Sequence, residues 1–152
     1  MIRPTGTRKA NKTKQRRETP RPTVEEVSEV LAYLRLFENR EEPYAVWEGG
    51  WIDKEKKQFA WPYPTYAPDV KEFFHLVASS QWQRPDYRNT RTRELVADIR
   101  KIADASLEEI CLVLTVFVRQ ERFFDGHREL MLEHGVVQAA LRRLAALFPE
   151  AS

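Results

Sequence analysis

Arg119 and Arg122 stand three residues apart at the end of an apolar-periodic stretch, so on a helix they share one face. Two guanidinium forks side by side match a phosphate or carboxylate, and a helix C-terminus favours cations by roughly 0.3–1 kcal/mol. Asp125 and His127 follow three and five residues after Arg122, which makes Arg119, Arg122, Asp125 and His127 a candidate anion or partner site. The competing role for the two arginines is structural. Ion pairs with Asp125, Glu94 or Asp98 would pin neighbouring helices together, and the sequence favours this role over the anion site.

Other reactive side chains are present without the spacing that chemistry requires. His134 lies seven residues after His127 with a glycine on either side of that short segment, and no third ligand stands at a zinc-like interval. Cys111 falls inside an apolar stripe with no basic neighbour in sequence, which describes a buried small hydrophobe rather than a nucleophile. The acid pairs Glu25-Glu26, Glu41-Glu42 and Glu108-Glu109 are adjacent and point to different helix faces. No glycine-rich phosphate loop and no Gly-x-Ser-x-Gly elbow occurs. The sequence favours a non-catalytic protein and leaves an enzyme as the last of the alternatives; it offers no catalytic residues, no metal and no cofactor.

Two segments suit macromolecular partners. Residues 40–67 hold seven of the chain's 17 aromatic residues, among them Trp47, Trp51 and Trp61, beside Lys54, Lys56 and Lys57. Such a cluster either covers the helices or, if exposed, forms a protein-binding hot spot or a base-stacking platform. Residues 1–22 carry eight cations against one acid, a net of +7, and include Arg8, Lys9, Lys12, Lys14, Arg16 and Arg17. The remaining chain has 17 cations against 22 acids, a net of −5, so affinity for nucleic acid would rest on this tail. With almost no apolar side chains the tail cannot offset its ordering entropy, and it reads as a flexible arm.

Helices must position these groups. Thr23 and Glu26 have capping-box spacing and open a helix with an apolar stripe from Val24 to Phe37, ending near Asn39. Pro68 and Asp69 suit the start of a second, with Val70, Phe73, Phe74 and Val77 inward. A third spans about Thr90 to Asp104. Ser106 and Glu109 open the most apolar helix, and Gly126 and Gly135 sit where left-handed residues end helical runs. Between the first two helices, Gly49-Gly50 reads as a turn, Pro62, Pro64 and Pro68 forbid a helix, and Lys54–Lys57 suits an exposed hairpin tip. The fold expected is all-α: a compact bundle of five or six helices over residues 23–149, a single domain behind the 1–22 tail, with an irregular aromatic segment that has room for a short β-hairpin. No apolar run is long enough to span a bilayer, no secretory leader is evident, and the single cysteine suits a reducing cytoplasm.

The run Leu114-Thr115, Arg119, Arg122-Phe123 and Asp125-Gly126, then Glu133, Gly135 and Leu141-x-x-Leu144, resembles a helical domain family of unknown function found in bacterial and phage-type proteins. Its pattern is LTxxxRxxRFxxG, a short helix, glycine and a final amphipathic helix. The likeness covers about residues 25–148, more loosely upstream through Pro62-Tyr63-Pro64-x-Tyr66 and Phe73-Phe74. It implies a mostly helical fold and lends no activity. The expected function is binding to a protein partner. The alternatives are nucleic-acid association through the tail and, from the phage-type resemblance, inhibition of a bacterial defence complex.

Overall fold

The computed structural model describes residues 19–151. Helix α1 (Val24–Glu38) opens on the capping box: the Glu26 N–H donates to Thr23 Oγ1 at 3.2 Å, and the Thr23 N–H donates to the Glu26 carboxylate at 3.1 Å. Helix α2 (Pro68–Val77) has proline in its first turn, where the missing N–H costs nothing. The long third helix of the sequence reading is two: α3 (Thr90–Ala97) and α4 (Ile99–Ile102). Asp98 separates them in an extended conformation, its carboxylate accepting the Arg100 N–H at 3.1 Å and so starting a new helix instead of continuing the old one.

Helix α5 (Leu107–Arg119) is the centre of the body and buries Ile110, Cys111 and every residue from Val113 to Phe117. A single 3-10 turn, Gln120–Arg122, leads from it towards α6 (His127–Glu133) and α7 (Val136–Leu147). Helix α7 packs against α1 and α5, and α2 packs against the same two. Phe37, Phe73 and Phe117 meet edge to face, at 5.2 and 5.4 Å between ring centroids, and tie α1, α2 and α5 into one core.

Among the described residues four polar side chains, Arg84, Thr92, Thr115 and Gln138, are buried, and Arg84 is the charged one. Arg84 is 2% exposed. It donates to Glu108, to the carbonyls of Gln81 and Gln83, and to the Pro20 carbonyl at 3.0 Å. The Arg84 N–H donates to Thr115 Oγ1 at 2.9 Å. Packing therefore reaches upstream of Thr23, where Pro22 is also buried.

The fold is not all-α. Beside seven helices among the described residues stands a two-stranded antiparallel ribbon, β1 (Ala45–Asp53) and β2 (Gln58–Tyr66). Gly49 and Gly50 are not a turn; they lie within β1, at a bulge between Glu48 and Gly50, with φ of +94° and +89°. A Cβ on Gly49 would sit 2.7 Å from the Trp61 carbonyl oxygen, so the strands close there only over glycine. The turn is at Lys54–Lys57, where Asp53 Oδ1 accepts the N–H groups of Glu55 and Lys56 at 3.0 and 3.2 Å. Pro62 and Pro64 do forbid a helix, but not a strand here. Both strands of a ribbon are edges, so alternate residues point their N–H away from the partner and proline removes no ladder bond.

Candidate functional site

Side chains alternate along a ribbon, so Phe59 and Trp61 share a face of β2, and Trp51, paired with Phe59, joins them there; Val46 and Tyr63 lie exposed further along the ribbon. Trp51 meets Phe59 edge-on at 5.2 Å, and Phe59 meets Trp61 at 5.4 Å. Nothing among the described residues covers this row: Trp61 is 82% exposed, Trp51 and Val46 59%, Tyr63 50% and Phe59 44%. Lys54, Lys56 and Lys57 stand exposed at the adjoining tip.

Trp47 belongs to the opposite face and does a different job. Its Nε1 donates to Glu129 at 2.9 Å, and its ring lies so close to Gly126 that a Cβ there would come within 2.5 Å. Beside it, Tyr66 donates to Glu121 at 2.7 Å. Glu121 also accepts the N–H of Gly126 at 2.8 Å and of Arg128 at 3.0 Å, so one carboxylate joins the ribbon's base to the start of α6. Burial and that carboxylate push the Tyr66 hydroxyl well above its usual range. Arg128 lies 3.9 Å over the Phe74 ring and donates to the carbonyls of Phe117 and Val118. Of the three tryptophans proposed as a surface, Trp51 and Trp61 stand on the free face, and Trp47, itself 46% exposed, lies at the ribbon's base against Gly126 and Glu129.

Arg119 and Arg122 are exposed and, among the described residues, make no ion pair and no side-chain hydrogen bond. The acids expected to hold them are otherwise placed: Glu94 pairs with Arg91 and Lys101, Asp98 with Arg100, and Asp125 is exposed. The pinning role falls to Arg84 and Arg128, which no periodicity marks. Sequence reasoning missed Glu121 as well; its one signal is a carboxylate just ahead of a glycine that starts a helix.

His127 stands apart from that arginine pair, in a cleft of about 620 Å³ lined by Arg88, Arg93, Gln120 and Phe123 among others. Burial lowers its pKa, with Glu121 acting weakly in the other direction, and its Nδ1 is enclosed without a hydrogen-bond partner. Burial likewise pushes the Cys111 thiol up to about 11, which leaves it protonated and unreactive. Among the described residues no group of three or more His, Cys, Asp or Glu could hold a metal ion, and no helix is long and apolar enough to cross a membrane. The tail residues Arg8, Lys9, Lys12, Lys14, Arg16 and Arg17 lie outside the described residues.

A family model, described as a family of unknown function (DUF6508), matches residues 22–150. The chain belongs to the DUF6508 family. No curated protein and no solved structure gives a significant match. Within this DUF6508 domain the residues of the LTxxxRxxRFxxG run divide by role. Leu114 is buried; Thr115 donates to the Cys111 carbonyl at 2.7 Å and holds the Arg84 loop; Gly126 adopts a φ of +87° under the Trp47 ring. Arg119, Arg122 and Phe123 face outward.

Proposed function

We propose that this DUF6508 domain is a non-catalytic binding module whose β1–β2 ribbon docks into an acid-rimmed apolar groove on a protein partner. The observation that carries this reading is the contacting row Trp51, Phe59 and Trp61, with Val46 and Tyr63 exposed on the same ribbon. Burying an aromatic side chain stabilises by about 1.5–3 kcal/mol, and the ribbon leaves that gain unused. Aromatic side chains of about 150–250 Å² each, roughly half exposed, can supply much of the ~800 Å² per side of a specific interface. Contacts along Trp51, Phe59 and Trp61 hold the rings in place before binding, which lowers the ordering cost. The three tip lysines favour an acidic rim. A bacterial defence complex would be one such partner, and a lone buried thiol suits a cytoplasmic setting.

The same rings beside lysines also describe a platform for single-stranded nucleic acid, so the test has two arms. Full-length protein and a Trp51→Ser/Trp61→Ser variant are each used for affinity capture from the host and titrated with a single-stranded oligonucleotide. A protein retained by the parent and reduced at least tenfold in a variant of unchanged thermal midpoint supports the proposal. Equal retention by both removes it, and ring-dependent oligonucleotide binding without protein capture replaces it with the stacking reading.

A further inference from the structure

Far along the chain from the ribbon, the cleft that contains His127 has the chemistry of a second site. It is bounded by the Tyr87-Arg88 loop, by α3, by the last turn of α5 with the 3-10 turn that follows it, and by the start of α6. About 620 Å³ lies within the 300–1,000 Å³ of small-ligand pockets. Tyr87, Val96, Ala97, Val116 and Phe123 supply apolar walls.

The charged side chains lining the cleft are all of one sign. Arg88 and Arg93 line it and no Asp or Glu does. Five arginines elsewhere find carboxylates, Arg40 with Asp69, Arg84 with Glu108, Arg91 with Glu109, Arg100 with Asp98 and Arg142 with Glu38, while among the described residues Arg119 and Arg122 do not. Arg88 and Arg93 have no such partner among the described residues. Arg88 is nevertheless held in place. Its Nε donates to the Tyr87 hydroxyl at 3.1 Å and its guanidinium lies 4.8 Å from the Phe123 ring centroid, which leaves its terminal nitrogens without an acceptor. Phe123 is 65% exposed, an open aromatic wall beside that cation. Gln120 and His127 add polar atoms, and the His127 ring makes no hydrogen bond within the described residues.

We infer that this cleft binds a small organic anion: a carboxylate or phosphate held by Arg88 and Arg93 and carried on a flat apolar body that lies against Phe123, Val96 and Val116. A guanidinium already ordered by an aromatic ring loses little freedom on forming its fork with the anion. The two chemical sources of such a ligand, aromatic acids and nucleotides, share that description and are separable by experiment.

The test is an amide NMR titration of the full chain with benzoate and with adenosine 5′-monophosphate, each against its neutral counterpart (benzamide, adenosine), and with inorganic phosphate. At least one of the two organic anions should shift the amides of Val96, Ala97, Gln120, Phe123 and His127 saturably, with a Kd of about 1 mM or tighter. Its neutral counterpart should bind at least tenfold more weakly, and so should inorganic phosphate. Arg88→Met/Arg93→Met should weaken the anion at least tenfold; Arg93→Gln, at an exposed position without an ion pair, gives the same direction should the double variant fail to fold. Saturation by neither anion, equal binding of the neutral compound, shifts located elsewhere, or undiminished binding by folded Arg93→Gln and Arg88→Met/Arg93→Met would overturn the assignment. Equal binding of inorganic phosphate would overturn the apolar-body half of it.

Discussion

Phe73 and Phe117 in the helical body and Trp51 and Trp61 in the ribbon are residues of one class under opposite rules. The first two are 0% exposed, meet at 5.4 Å and join α2 to α5; the second two are 59% and 82% exposed and join nothing but each other's neighbour, Phe59. The difference is geometric. A helix offers one stripe to a shared core, whereas a two-stranded ribbon has two faces and no layer to bury either. Only the ribbon's base is tied down, by Trp47 on Glu129 and Tyr66 on Glu121. Aromatic content alone therefore says little about a segment's role; the element that carries it decides.

Substitutions can break this contrast, beginning where the effect is greatest. Phe117→Ala in the body should lower stability by about 3–5 kcal/mol, read by urea unfolding. A loss under 1 kcal/mol would show that the body is not the closed core described. Arg84→Ala comes next, at about 2–4 kcal/mol. Most of that loss arises from the carbonyls of Pro20, Gln81 and Gln83, since Glu108 is largely exposed and its ion pair is screened by solvent. Gly126→Ala tests the junction between the regions. Its φ of +87° and the nearby Trp47 ring predict a loss of about 1–3 kcal/mol together with a changed Trp47 emission.

A pH effect is smaller and has a definite sign. Burial lowers the His127 pKa from its ordinary value near 6.5, so the unfolded chain takes up the proton first as the solution is acidified. The His127 contribution is thus complete above about pH 6.5 and is lost as pH falls below it; Glu109, held low chiefly by Arg91, acts only in the carboxylate range. Acid titration of a His127→Gln variant should lack the upper of the two losses. Smallest of all, Arg119→Ala, Arg122→Ala and Trp61→Ser should each change stability by no more than about 0.5 kcal/mol. A larger loss at either arginine would restore the ion-pair role that the sequence favoured.

The helical frame was legible because its signals are local. Thr23 with Glu26, Ser106 with Glu109, and Gly135 mark helix ends within a few residues of chain, and the structure uses each of them so; Gly126, read as ending a run, instead starts α6. The ribbon was not, because Gly49-Gly50 inside a bulged strand and Pro62 and Pro64 on an edge carry the same letters as turns and breaks. Arg84, Glu121 and Arg128 were invisible for a related reason. Their partners lie in other elements, as with Glu108 for Arg84 and Tyr66 for Glu121, and no spacing rule connects such pairs. The cleft whose charged lining is Arg88 and Arg93 is likewise assembled from a loop and helices that the sequence leaves unrelated.

The central claim, that the free face of the ribbon is where the protein meets its partner, is tested most directly by tryptophan fluorescence. Trp82 is 1% exposed and supplies a constant background, so changes report mainly on the ribbon. Adding the captured partner should shift the emission to shorter wavelength and protect it from a water-soluble quencher, and both effects should vanish in Trp51→Ser/Trp61→Ser. Binding that leaves the emission and its quenching unchanged would place the partner elsewhere and contradict the account.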